Sequence, residues 1–250
     1  MVHVTDGAPR DPQLRPGHPD LEAYARLRRA EAEEALALAG LDRGRILRLG
    51  EADQEVVRSL APLARELAAI LAALRPRLVV THAWEGGHPD HDASALATRA
   101  ALALVARREG EAPRLVEMTG YHLAGARLAT NEFLPGARAV RHRLRSEERA
   151  RKRAMLDRHA SQRAVLAPFG VDREDFRLGG PLAPAARPHP GPLHYEVRGW
   201  TTFEELRAAA VEGLAALGLS PGRAGSTPAT GDLAAGGLEE AGAAATAAPC

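Results

Sequence analysis

Cysteine is nearly missing from these 250 residues: the single one is Cys250, at the C-terminal end. That excludes an internal disulfide and any zinc centre built on thiolates, so a metal here has to rest on His, Asp and Glu. Neither charge dominates, since 33 basic residues face 32 acidic ones for a formal +1. A nucleic-acid-binding chain carries a large basic excess, and its absence turns the expectation towards a small-molecule partner. No apolar run reaches the roughly 18 residues of a membrane span, and the N-terminus lacks the charged-then-apolar leader of a secreted chain. The expected location is therefore cytoplasmic, with no membrane and no nucleic-acid partner, and the sequence leaves a homo-oligomer open. Lysine is scarce too, Lys152 being the only one. Arg, Ala and Gly in its place look like the codon bias of a GC-rich bacterial genome, which inflates arginine counts without functional meaning.

With 45% hydrophobic residues the chain can bury one sizeable core. Met1 to Thr5 alternate Val2 and Val4 with polar neighbours and stop at Asp6-Gly7, as a short strand and turn do. From Leu21 to Ala39 the apolar residues keep helical spacing with Arg28 on the same face, and Gly40 ends the helix. Ile46, Leu47 and Leu49 form a short apolar stretch, Val56 to Leu74 a second helix closed before Pro76, and Leu78 to Val80 a compact strand. A third helix is expected at Ala93 to Arg108 and a further strand at Leu115 to Met118. Ser146 is placed to cap a helix with Glu147 and Glu148 in its first turn, and Thr202 with Glu205 forms a capping box for a last helix near Phe203 to Leu217. The alternation predicts a single α/β domain, Rossmann-like, with a mainly parallel sheet flanked by helices. Its expected span is 1–218, followed by a disordered Gly/Ala-rich tail over 219–250.

Ligands of such sheets sit at the C-terminal ends of strands. At one of those ends stands Gly86-Gly87-His88-Pro89-Asp90-His91-Asp92. Two histidines three apart at a helix start can point to one spot, and a neighbouring carboxylate can fix an imidazole tautomer. The plainer alternative is an exposed polar turn with Asp90 as an N-cap. His82 and His194 lie near predicted strand ends, where each can line a cleft or serve as a hydrogen-bonded structural residue. Tyr121 and Trp84 can wall a pocket or pack in the core.

The run from Thr81-His82 to His91 resembles the second signature of the LmbE/PIG-L deacetylases, a strand followed by a glycine-preceded His-Pro-Asp-His at a helix start. Other stretches agree in order and kind: Val4-Thr5-Asp6-Gly7-Ala8, the Arg28-x-x-Glu31 helix closing at Leu38-Ala39-Gly40, Leu49-Gly50 with Asp53, and Lys152 followed by Ser161-Gln162. The resemblance covers about residues 1 to 218, and only His-Pro-Asp-His is specific by itself.

The resemblance implies a Zn2+-dependent hydrolase that removes an acetyl group from an N-acetyl amino sugar or its conjugate, leaving acetate and a free amine. It makes His91 a zinc ligand, His88 the uncoordinated histidine that polarises or protonates the reacting amide, and Asp90 the residue that orients the pair. Arg28 and Asp53 match positions that bind the sugar-like substrate. Read from the residues alone, Arg28 can equally be a solvated helix arginine and Asp53 the N-cap of the helix after it. The family's first signature is a strand ending in His-Pro-Asp-Asp, whose His and second Asp complete the zinc site and whose first Asp is the general base. It has no counterpart before Val4, which leaves His91 as one of the usual three protein ligands. The domain is therefore expected to be N-terminally incomplete by one strand and helix, roughly 35–40 residues. Gly17-His18-Pro19-Asp20 is similar to that signature but carries Leu21 in the ligand's place, and Asp20 is more simply a helix cap. The alternative from another class is a catalytically incompetent Rossmann-like binding module that keeps the cleft alone.

Overall fold

The computed structural model describes residues 1–180, 184 and 186–220. Of the tail expected over 219–250, Leu219 instead packs into the main core, and the part beyond 220 lies outside the described residues. The chain opens on β1 (Val2–Thr5), crosses through α1 (Leu21–Leu38) and returns in β2 (Leu47–Glu51), parallel to β1. Asp20 caps α1, its Oδ1 accepting from Ala23 N at 3.0 Å, as its residue type requires. A 3-10 turn over Val56–Ser59 leads into α2 (Leu60–Leu74), which ends at Arg75 in the left-handed conformation (φ 45°) just before Pro76. Then come β3 (Leu78–His82), α3 (Pro89–Glu109) and β4 (Arg114–Met118), with β3 and β4 parallel and in register from Leu78–Arg114 to His82–Met118.

The first four strands pair parallel, as their alternation with helices predicts, and the domain is mixed α/β throughout. The later strands turn the other way. β5 (Tyr121–Ala124) and β6 (Arg127–Thr130) form a hairpin, while β7 (Val140–Arg143) and β8 (Arg173–Leu178) extend the second sheet in the order β3-β4-β8-β7, with β8 antiparallel to both neighbours. α4 (Ser146–Arg158), α5 (Arg163–Leu166), α6 (His194–Val197) and α7 (Phe203–Ala216) complete the chain. The parallel strands do not make one ladder: among the described residues β1–β2 and β3–β4 belong to separate sheets.

The main core lies between α2, α3 and α7, where Leu60, Leu63, Leu67, Leu96, Leu206 and Leu214 interleave and Val2, Val4 and Leu49 pack against them. Each such side chain contributes about 1.5–3 kcal/mol by leaving water. Gly213 lets α7 approach, since a Cβ there would stand 2.8 Å from Leu60. The second sheet is held by charge as well as by Val116 and Phe176. Glu117 is 1% exposed and receives Arg99 from α3 and Arg177 from β8, each at 2.5 Å. With both oxygens bonded, the buried carboxylate is compensated and links α3 and β8 to β4. Ser161 and Gln162 tie the opposite side together. Ser161 N and Oγ donate to the Glu31 carboxylate at 2.8 and 2.6 Å, and Gln162 Nε2 donates to Tyr24 Oη at 2.7 Å, so the α4–α5 junction grips α1.

Several caps differ from the sequence expectation. The helix expected from Ala93 starts at Pro89, because His88 caps it: Asp90 N donates to His88 Nδ1 at 3.2 Å. Asp90 is therefore inside the first turn and is not the N-cap. Asp53 caps nothing, for Glu55 precedes the 3-10 turn and Ser59 precedes α2. Ser146 is the first residue of α4, with Arg145 at the cap and its N–H donated to Glu148 at 2.7 Å. The Thr202–Glu205 capping box is present in both directions.

Candidate active site

The loop after β3 is built to hold α3 close. Asp92 is buried, and its carboxylate takes Glu85 N at 3.0 Å and Gly86 N at 3.1 Å, folding the loop back over the helix start. Burial raises Asp92 to about 7 against those two backbone donors. Gly87 then leaves room for the hairpin, since a Cβ there would lie 1.9 Å from the Tyr121 carbonyl oxygen.

Around this loop the histidines gather. His82 and His91 stack at 4.0 Å, His88 lies 5.3 Å from His91 and 5.0 Å from Trp200, and Tyr121 meets His91 and His194 edge-on at 5.6 and 5.2 Å. His194 closes the circuit against Trp200 at 5.5 Å, with its Nδ1 3.2 Å from the Gly87 carbonyl. Burial holds His82 down to about 4, His88 to about 3 and His91 well below the usual range, so these imidazoles are neutral at neutral pH. For His88 the backbone also selects the tautomer. Its Nδ1 accepts from Asp90 N, which leaves the proton of the neutral ring on Nε2.

Carboxylates converge beside it. Asp53, His88 and Asp90 each offer one ligand atom within 4.8 Å of the others. Burial and the neighbouring Asp53 raise Asp90 to about 7, and burial and Asp6 raise Asp53 to about 6 while Arg28 opposes. Asp90 also spans to the chain after β2, its Oδ2 accepting Gln54 N at 2.6 Å and its Oδ1 Val56 N at 3.2 Å. Arg28 is held by the Gly7 carbonyl at 3.2 Å and lies 3.6 Å from Glu31, while its buried Nη1 has no hydrogen-bond partner. Neutral imidazoles beside desolvated carboxylates are nitrogen and oxygen donors of the kind a divalent ion takes, and Asp53, His88 and Asp90 converge closely enough to share one.

The structure thus brings together Arg28, Asp53, His88, Asp90 and His91, and adds His82 and His194, which the sequence left undecided. His18 stays out, packed on Tyr24 at 5.0 Å, with Asp20 as the helix cap. Trp84 belongs to the core, and Trp200 lines the histidines instead. Nothing local marks Trp200, because its place depends on α6 turning back over the loop: His194 N donates to Gly86 O at 2.9 Å and Trp200 N to Tyr195 O at 3.0 Å.

An α/β domain with a His/Asp cluster at the strand ends is the class that fold and site define. Residues 1–102 match the family model described as PIG-L, GlcNAc-PI de-N-acetylase, in agreement with the resemblance read from the sequence. No curated protein matches the chain. Among solved structures, the A40926 pseudoaglycone deacetylase Dbv21 is 24% identical over 70% of this chain and 82% of its own, at a TM-score of 0.48. A deacetylase of teicoplanin biosynthesis is 18% identical over 72% and 87%, at 0.48, and the zinc-inhibited form of teicoplanin deacetylase Orf2 is 17% identical over 72% and 88%, at 0.43. These TM-scores lie below 0.5, so the functional reading rests on residues 1–102 and on the site. Among the described residues no helix is long and apolar enough to cross a membrane.

Proposed function

We propose that the protein is a zinc-dependent N-deacetylase acting on an N-acetyl amino sugar or its conjugate. The observation that carries this reading is the Asp90 N–H donated to His88 Nδ1, which fixes a neutral imidazole with its proton on Nε2 inside a cluster of His and Asp side chains. His91 has no hydrogen bond to either ring nitrogen among the described residues, and burial keeps it neutral, so it would supply the imidazole ligand. A bound zinc would polarise the acetamide carbonyl and bring a water near neutral acidity.

The chain's own residues do the rest. His88 donates from Nε2 to the acetamide oxygen as negative charge develops there. Asp90 keeps the His88 tautomer through its backbone N–H and anchors the loop after β2 through its carboxylate. Arg28 and Asp53 hydrogen-bond hydroxyls of the sugar. Water adds through its oxygen to the acetyl carbon, one of its protons passes to the departing nitrogen as the C–N bond breaks, and acetate and a free amine leave.

A second reading is favoured by the 4.8 Å convergence of Asp53, His88 and Asp90, which could themselves hold the ion. Against it, His88 Nδ1 and both Asp90 oxygens already accept backbone N–H groups. Acetate release from N-acetylglucosamine and its conjugates, measured with and without a chelator and after zinc is returned, tests the function. Chelator-sensitive release supports it; a zinc-loaded protein that releases no acetate from any of them overturns it.

A further inference from the structure

One cluster of buried titratable groups has no part in the reaction above. Glu85, in the loop after β3, is 3% exposed; its Oε2 accepts Gly120 N at 3.0 Å and its Oε1 has no hydrogen-bond partner. His122 on β5 is 2% exposed, and its Nδ1, equally bare, lies 3.9 Å from Glu85 Oε1. A buried polar atom left unmet destabilises the fold. A single proton satisfies both atoms, because a small movement of either side chain closes an O–H···N bond.

The surroundings decide which atom holds that proton. Glu85 faces Asp92 of α3 and Glu117 of β4, with Arg177 of β8 as the opposing cation. His122 faces His189 and Arg127, with Glu132 opposing. Burial pushes the carboxyl up to about 8 and holds the imidazole below its usual value. At neutral pH the pair is therefore a carboxylic acid beside a neutral ring, and the desolvation of two charges is avoided.

Gly120 is where this pair meets the site. Its N–H goes to Glu85, its carbonyl receives Asn131 N at 3.2 Å, and a Cβ there would stand 3.2 Å from His91 Nδ1 and 3.9 Å from Glu85 Oε2. The next residue, Tyr121, sets its carbonyl against Gly87 and its ring edge-on to His91 and His194.

We propose that Glu85 is a positioning residue of this site, which through Gly120 and His122 fixes the β5–β6 hairpin as the wall against His91. Only the catalytic part of the test rests on the deacetylase reading. Glu85→Gln keeps an acceptor for Gly120 N and offers an N–H to His122, copying the neutral carboxyl, whereas Glu85→Ala removes both. Glu85→Met keeps the volume without the acceptor and stands in if the alanine variant does not fold. Three quantities are read on the full chain: Gly120 amide exchange without metal, zinc affinity, and acetate release. The Gly120 amide is expected to be protected in the parent and in Glu85→Gln and to exchange at least about tenfold faster in Glu85→Ala. Zinc affinity should fall about 10–100-fold in the alanine variant and recover in the glutamine one, the range for removing a partner that orients a ligand. Acetate release should lose kcat more than KM. A Gly120 amide that stays protected in Glu85→Ala, or a glutamine variant as impaired as the alanine one, overturns the proposal. If no variant or parent releases acetate, the exchange and zinc measurements still decide it, and only the deacetylase reading has failed.

Discussion

His82 and His91 stack face to face, their ring centroids 4.0 Å apart and their planes 3° from parallel. Such a stack tolerates neutral rings, and burial holds His82 down to about 4. Because this lies below the ordinary histidine value, the unfolded chain binds the proton more readily than the folded one. The stability involved is complete above about pH 6.5 and drains away as the pH falls towards 4. His82→Phe keeps a stacked ring and removes the titration. Its melting temperature should fall less steeply than the parent's over that window, by roughly one proton's worth of slope, since His88 and His91 still titrate. Identical slopes would show that His82 is not buried neutral.

The two histidines of His-Pro-Asp-His should separate by metal content. His91→Ala is expected to lose zinc and acetate release together. His88→Ala should keep near-stoichiometric zinc while kcat falls by roughly 10²–10⁴, the usual worth of a positioned acid. Zinc lost from His88→Ala and kept by His91→Ala would favour the Asp53–His88–Asp90 set as the ligands.

Gly87 is the tightest backbone approach in the site. Gly87→Ala would force a Cβ to 1.9 Å from the Tyr121 carbonyl oxygen, and backbone cannot yield as a side-chain tip can. A loss of about 1–3 kcal/mol or more is expected in urea unfolding. Gly180→Ala, with nothing within 4 Å of the new Cβ, is the control and should be near neutral. Equal effects from the two would mean that the hairpin does not rest on the loop.

Ser161 and Glu31 bridge the α4–α5 junction to α1 with a charge-assisted hydrogen bond at 2.6 Å. Ser161→Ala should cost about 1.5–3 kcal/mol. Glu31→Ala should cost more, because it also strips the acceptor from Ser161 N and leaves Arg28 without its nearest carboxylate. Denaturation midpoints of the two single variants and the double variant check this, with non-additivity expected for groups in contact.

The sequence made the first half of the fold legible because strands and helices there alternate with clean apolar spacing. β1, α1, β3 and α2 lie within a few residues of their expected limits, and β3 extends through His82. β7 and β8 were not legible. Val140-Arg141-His142-Arg143 and Arg173-Glu174-Asp175-Phe176-Arg177-Leu178 are mostly charged, and they hold their places through ion pairs such as Arg141 to Asp175 and Arg177 to Glu117 that no periodicity announces. In the site, His88, Asp90 and His91 stood out by spacing and resemblance. Glu85 and Trp200 did not, because each acquires its role from contacts with residues far along the chain, Gly120 for one and His88 for the other.

Asp90 belongs to two structures at once. It is the first-turn carboxylate of the helix that follows β3, and it clasps the backbone at Gln54 and Val56, just beyond β2. Because the two parallel ladders share no strand, this one side chain is a seam between them, placed where the substrate is expected to arrive. Whatever draws electron density from Asp90 loosens the clasp, and whatever leaves it to the two backbone amides tightens it. The same two oxygen atoms thus join the start of α3 to the chain after β2, beside the histidines of the site.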